Sequence, residues 1–236
     1  MRNSMMWSPA LALALLLPAV PAGADEYETA AESAVQVNDL SEVSWALTEA
    51  CAMPDEMQAR QCKMVRDAAA ARWRAATIKV RGDRAVEIGA WSAATKSALL
   101  TIRSCIACAP VAGSPYVVGA GAVPTFDGDR AIAGELDETT RKFASAADAS
   151  AWQTEVVPRL HSEFLLRIPA NPFFDRNGKR GLALTVVGYR ATDPCDGSVI
   201  SARPAASAVA ADPRACGPAK PKDTGVDASL PDKLSR

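Results

Sequence analysis

Residues 77–88, Thr77-Ile78-Lys79-Val80-Arg81-Gly82-Asp83-Arg84-Ala85-Val86-Glu87-Ile88, are where the chain changes its period. Ile78 and Val80 alternate with charged neighbours, Gly82-Asp83 turns the chain, and Val86, Ile88 and Ala90 alternate again. A two-residue period places one side of an extended strand on a core and the other in water. This stretch therefore divides a helical N-terminal part from a strand-rich remainder, and the fold class follows from what lies on each side.

Upstream, apolar residues recur at helical spacing. Asp39 can cap a helix with Glu42 as its capping-box partner, and Leu40, Val43, Leu47 and Cys51 follow. Pro54 suits the first turn of a second helix, with Asp55 and Glu56 beside the positive end of its dipole. Met57, Cys62, Val65, Ala69 and Trp73 make the expected apolar stripe of that helix. Residues 25–38 are polar and alanine-rich and read as a flexible leader.

Downstream, Leu100 and Ile102 continue the alternation, and an antiparallel meander is expected from residue 78 to about residue 104. Residues 109–115 form a loop, then Tyr116–Val123 and Arg130–Leu136 read as strands around Asp127-Gly128-Asp129. Ala146–Val157 reads as a helix ended by Pro158, and Ser162–Ile168 as a strand. Asn177-Gly178 is a tight-turn signal, Gly181–Ala191 the longest strand, and Ser198–Arg203 the last. From Pro204 to Arg236 alanine, proline, aspartate and lysine dominate, which reads as a disordered tail. The expected fold class is α+β: an N-terminal helix pair, a mainly antiparallel sheet with one further helix, and that tail, with residues 39–203 as a single disulfide-braced domain.

Residues 1–24 have the order of a secretory signal. Arg2 is followed by a nearly unbroken apolar run from Met5 to Val20, then Ala22-Gly23-Ala24 and the acidic Asp25-Glu26. Cleavage is expected before Asp25, with no transmembrane anchor afterwards and a periplasmic or extracellular destination. Taking Arg2 from the 26 basic residues, against 27 acidic, leaves the remainder near neutral. That balance gives no electrostatic reason to expect nucleic acid as a partner.

The six cysteines, Cys51, Cys62, Cys105, Cys108, Cys195 and Cys216, all lie beyond residue 24. An even count in an exported chain reads as disulfides. Their order favours three local pairs, 51 with 62, 105 with 108 and 195 with 216, although spacing alone does not choose a connectivity. A tight helical hairpin would bring Cys51 nearer residue 57 than Cys62, so the first pair needs an offset crossing. Residues three apart in a strand lie roughly 10 Å apart, whereas a disulfide needs Cα atoms within about 7 Å. Cys105 and Cys108 therefore pair only where the chain turns.

The candidate chemistries each have a plainer explanation. Cys105-Ile106-Ala107-Cys108 has the spacing of a redox dithiol, but such motifs sit at helix N-termini, and here a strand precedes and Ala109-Pro110 follows. A zinc site would need a second close cysteine pair. His161, the single histidine, has no G-x-S-x-G segment to serve. Gly119-Ala120-Gly121 is followed by Pro124 where a dinucleotide loop needs glycine. The acidic turns at Asp127–Asp129 and Asp193–Gly197 lack the spaced ligands of a calcium loop. Phe173-Phe174 offers a partner anchor if exposed and core packing if not. No catalytic set, metal or cofactor is expected. The function expected is an exported, non-enzymatic binding or assembly role toward a protein or envelope component, with thiol–disulfide chemistry at Cys105 and Cys108 as the alternative.

Overall fold

A computed structural model describes residues 25–38, 40–48, 51–82, 85–103, 107–110, 117–120, 125–127, 130–132, 135–176 and 178–217. In chain order the elements are α1 (Asp25–Glu32), β1 (Val35–Val37), α2 (Ser41–Thr48), α3 (Glu56–Ala75), β2 (Ile78–Gly82), β3 (Val86–Ile88), β4 (Ser97–Arg103) and β5 (Ala107–Pro110). Then come β6 (Val117–Ala120), β7 (Thr125–Asp127), β8 (Arg130–Ile132), β9 (Glu135–Lys142), α4 (Ala146–Glu155), β10 (His161–Arg167), β11 (Phe173–Arg176), β12 (Lys179–Thr192) and β13 (Val199–Arg203). The class is α+β.

β12 is the spine of the larger, mixed sheet, whose order is β1-β2-β10-β12-β6-β5. Its first half pairs antiparallel with β11 and parallel with β6; its second half pairs antiparallel with β10 and β13. Partners on both edges satisfy its backbone and allow an almost unbroken apolar run, Gly181-Leu182-Ala183-Leu184-Thr185-Val186-Val187. Leu182, Leu184, Tyr189 and Ala191 are buried there with Phe164 and Leu166 of β10 and Ile78 and Val80 of β2. The turn expected at Asn177-Gly178 joins β11 to β12, and Gly178 takes a positive φ of 71°.

Three expectations change. The meander forms only in part: β3 pairs antiparallel with β4 as expected, in a separate three-stranded sheet with β9, but β2 pairs with β1 and β10 in the large sheet. Alternation says which residues face a core but not which strand lies alongside. Second, residues 25–38 are not a leader. They form α1 and β1; Tyr27, 0% exposed, packs with Ala31 on Leu165, and β1 pairs parallel with β2, Val35 opposite Ile78. One tyrosine in a polar stretch was enough, because Glu28 also meets Arg190 of β12 at 2.7 Å.

Third, the folded part does not stop at Arg203. Ala206 packs on the Tyr27 cluster, and the amides of Val209 and Asp212 donate to the carbonyls of Gly197 and Pro194 at 2.9 and 2.7 Å. A 3-10 turn at Pro213–Cys216 then closes the Cys195–Cys216 disulfide. Gly197 has a φ of +74°, and a Cβ there would lie 2.0 Å from the Val209 carbonyl oxygen. Residues 218–236 of the expected tail lie outside the described residues, as do residues 1–24.

Candidate functional site

The titratable clusters inside the fold bind its parts to one another. Arg190 lies between Glu28 and Glu163, at 2.7 and 2.6 Å, with its guanidinium 4.7 Å from the centre of the Tyr27 ring. This group docks α1 on the sheet. Burial, then the nearby Glu163 charge, pushes the Tyr27 hydroxyl above the ordinary phenol range. Arg159 holds Asp193 through two bonds of 2.9 and 2.6 Å, and Asp193 also accepts from the Cys195 amide at 2.9 Å. That bonding orders the turn carrying the C-terminal disulfide.

Tyr189 joins the two larger sheets. Its hydroxyl donates to the Asp137 carboxylate of β9 and lies 3.0 Å from Ser201 Oγ of β13. Burial, reinforced by Asp137, pushes the Tyr189 hydroxyl up to about 12. The same hydrogen bond holds Asp137 below the ordinary carboxylate range. His161 lies at the start of β10, 3.3 Å from Arg81; partial desolvation of its ring and then that cation lower its pKa. None of these groups brings a nucleophile together with a base in an open cleft.

The helical hairpin differs from the rest. Asp55 caps α3, accepting from the Gln58 amide at 2.9 Å, so Pro54 stands one residue before the cap rather than inside the first turn. Glu56 lies in the first turn and Arg72 and Arg74 in the last, each favourable to the helix dipole. Val43, Ala46 and Leu47 of α2 pack with Ala69, Ala70 and Trp73. Arg72 pairs with Glu42 of α2 and covers the Trp73 ring at 4.4 Å. Cys51 and Cys62 form the expected disulfide, with Cα atoms 5.7 Å apart.

Within the 20 residues of α3, Trp73 alone is fully buried, at 3% exposure. The expected apolar stripe is therefore wrong in two members: Met57 is 76% and Val65 57% exposed. At about 100° per residue, Met57 lies roughly 160° around the helix from Trp73, so the five residues chosen never shared one face. The side turned to α2 and the core carries Cys62, Arg66, Ala69, Ala70 and Trp73. The opposite side carries Met57, Gln61, Met64, Ala68, Ala71 and Ala75, all exposed, with Met64 at 67%. Met53, two residues before the cap, is also exposed.

These outward positions alternate by four and three residues, the spacing of a helix that pairs with another helix. That spacing is present in the sequence, but only the burial of Trp73 decides which side of the helix faces inward. Arg60 lies beside the seam, and next to it is a shallow recess of about 440 Å³ lined by Cys51, Ala52, Glu56, Arg60, Lys63 and Arg66. Lys63 has no ion pair with any described residue, whereas Arg60 pairs with Glu56.

Of the remaining cysteines, Cys195 and Cys216 are bonded as expected. Cys108 falls on β5, a strand and not a helix start; Cys105, and with it any pairing of these two, lies outside the described residues. Gly119 and Ala120 lie on β6, paired with β12, and Gly121 lies outside the described residues. Of the acidic turns, Asp193–Gly197 is the disulfide-bearing turn above, while Asp127 ends β7 and residues 128–129 lie outside the described residues. Phe173 is exposed on β11 and Phe174 half-buried. Among the described residues no group of three or more metal-ligating side chains converges, and no helix is long and apolar enough to cross a membrane.

Compared with protein-family models, curated proteins and solved structures, the chain matches none.

Proposed function

We infer that this chain is an exported, non-enzymatic protein of the cell envelope or secreted fraction that acts by binding a partner through α3. One observation carries the reading. α3 turns a largely apolar seam, interrupted by Gln61, to solvent on the side opposite Trp73, and a disulfide holds the helix in place. A lone exposed methionine needs no explanation, but apolar residues repeated along one face of a helix mark an interaction surface. Methionine suits such a surface because its unbranched side chain adapts to a partner's shape. The charge–apolar–A-x-A order of residues 1–24 supports export, and two disulfides are at home in an oxidising compartment.

The test is site-specific photocrosslinking in intact cells. A crosslinker replacing Met64 is expected to give a discrete adduct in the envelope or culture fluid, on a protein whose sequence starts at Asp25. The same crosslinker at Leu99, exposed on β4, is expected to give none. Equal adducts from both positions, or none from residue 64, would remove the binding role.

A further inference from the structure

We propose that the seam of α3 docks on the seam of a second copy of this chain, the two helices antiparallel about a two-fold axis. The inference rests on the binding role just described and names the partner.

The order of side-chain sizes along the seam points to this occupant. The outward residues Met57, Gln61, Met64, Ala68, Ala71 and Ala75 follow a four-three spacing over about 27 Å of helix, at about 1.5 Å per residue. Three long side chains fill the first half and three alanines the second. A two-fold interface sets one surface against itself, so its large groups must meet its small ones. Two antiparallel copies of α3 do this at each step. Met57 lies opposite the second copy's Ala75, Gln61 opposite its Ala71 and Met64 opposite its Ala68. All three pairs share one centre, residue 66, in the middle of the helix Glu56–Ala75. Each long side chain then enters the hole over an alanine, and the alanines let the two backbones come close.

The order of charges on one flank agrees. Glu56, Lys63, Asp67 and Arg74, all exposed, lie roughly 80–120° round the helix from the centre of the seam, at about 100° per residue. Their signs alternate from minus to plus along the chain. Antiparallel pairing brings Glu56 beside the second copy's Arg74 and Lys63 beside its Asp67, each pair occurring twice. About the helix midpoint, Lys63 and the second copy's Asp67 are offset along the axis by about 1.5 Å, and the two Asp67 residues by about 4.5 Å. Glu56 and Asp67 are bonded to Arg60 and Arg66 through Oε1 and Oδ1, and each carboxylate has a second oxygen that can accept. Arg60, the cation on this side that gains no new anion, keeps Glu56. A parallel pair would instead set methionine on methionine and like charges side by side, which selects against it.

Sedimentation equilibrium of the oxidised full chain is expected to show a reversible dimer with a Kd on the order of 10 µM, as suits a small interface. Met64→Glu with Ala68→Glu sets four carboxylates together at the centre and is expected to weaken the dimer at least about tenfold. Both positions are exposed, so the thermal transition, measured below the concentration range of the dimer, is expected to stay in place. Lys63→Glu is expected to weaken the dimer about threefold or more, and Lys63→Glu with Asp67→Lys to restore it. Orientation is read by mild oxidation of a mixture of the Met64→Cys and Ala68→Cys proteins. The link between the two variants is expected to form at least about tenfold faster than either self-link, because only that pair lies opposite. A chain still monomeric at about 0.5 mM overturns the proposal. So does a dimer that Met64→Glu with Ala68→Glu leaves intact, or a 64–64 link as fast as the mixed one. Adducts from residue 64 in cells on a different protein, with the chain monomeric in sedimentation, remove this inference alone. Absence of any adduct from residue 64 removes the binding role and the inference together.

Discussion

β12 and α3 are both long elements, of 14 and 20 residues, and they use their side chains in opposite ways. β12 has a hydrogen-bonded neighbour on each edge and gives Leu182, Leu184, Tyr189 and Ala191 to the core. α3 gives the core Trp73 and is otherwise held by a disulfide, an ion pair to Glu42 and small-residue contacts with α2. The strand is fixed by packing, which fails sharply when a group is removed. The helix is fixed at a few points, which leaves its outer side uncommitted. Apolar surface that folding does not use is the part of this molecule available to binding.

The sharpest way to break this contrast is Leu184→Ala. Leu184 is 1% exposed, and deleting a fully buried leucine side chain costs about 2–5 kcal/mol. Urea unfolding checks it; a loss under about 1 kcal/mol would mean β12 is not the spine of the core.

Removing each disulfide sharpens the comparison. Serine at both Cys195 and Cys216 is expected to cost roughly 2–4 kcal/mol, because the bridge ties residues 204–217 back onto the end of β12. Serine at both Cys51 and Cys62 is expected to act locally. Amide exchange in the first half of α3 rises while that of β10 and β12 stays slow. Equal acceleration everywhere would show that α3 and the sheet unfold as one unit.

A smaller effect appears with pH at the joint between the sheets. The Tyr189 hydrogen bond depresses Asp137, so its folded pKa lies below its unfolded value of about 3.9. The stability this provides is fully present above the unfolded pKa and is lost as pH falls through the folded one. Tyr189→Phe removes the largest cause of the depression. The stability difference between wild type and variant is expected to be constant from about pH 5 to 7 and to shrink below about pH 4. A difference that does not change on acidification would show that the two groups are not coupled.

The sequence carried the helix–strand division, the long strand, the Asn177-Gly178 turn and the α+β class, because each depends on local period or turn chemistry. It did not carry strand order: Ile78 and Val80 alternate as a meander strand would, yet β2 pairs with β1 and β10 rather than with β3. It also hid α1, since Tyr27 and Glu28 gain their meaning only from Leu165 and Arg190, more than a hundred residues away. The outer face of α3 was legible as a four-three repeat from Met57 to Ala75. What could not be read was which side of that helix the sheet would cover, and Trp73 decided it.

The melting temperature of the oxidised Met57→Glu, Met64→Glu protein tests most directly whether that face stands outside the fold. Exposed substitutions change stability by about 0.5 kcal/mol or less, which in a chain of this size moves the transition by about 2 °C. The account predicts a shift no larger than that. A fall of more than about 6 °C would mean the seam is already packed in the folded protein, and α3 would have no surface to offer a partner.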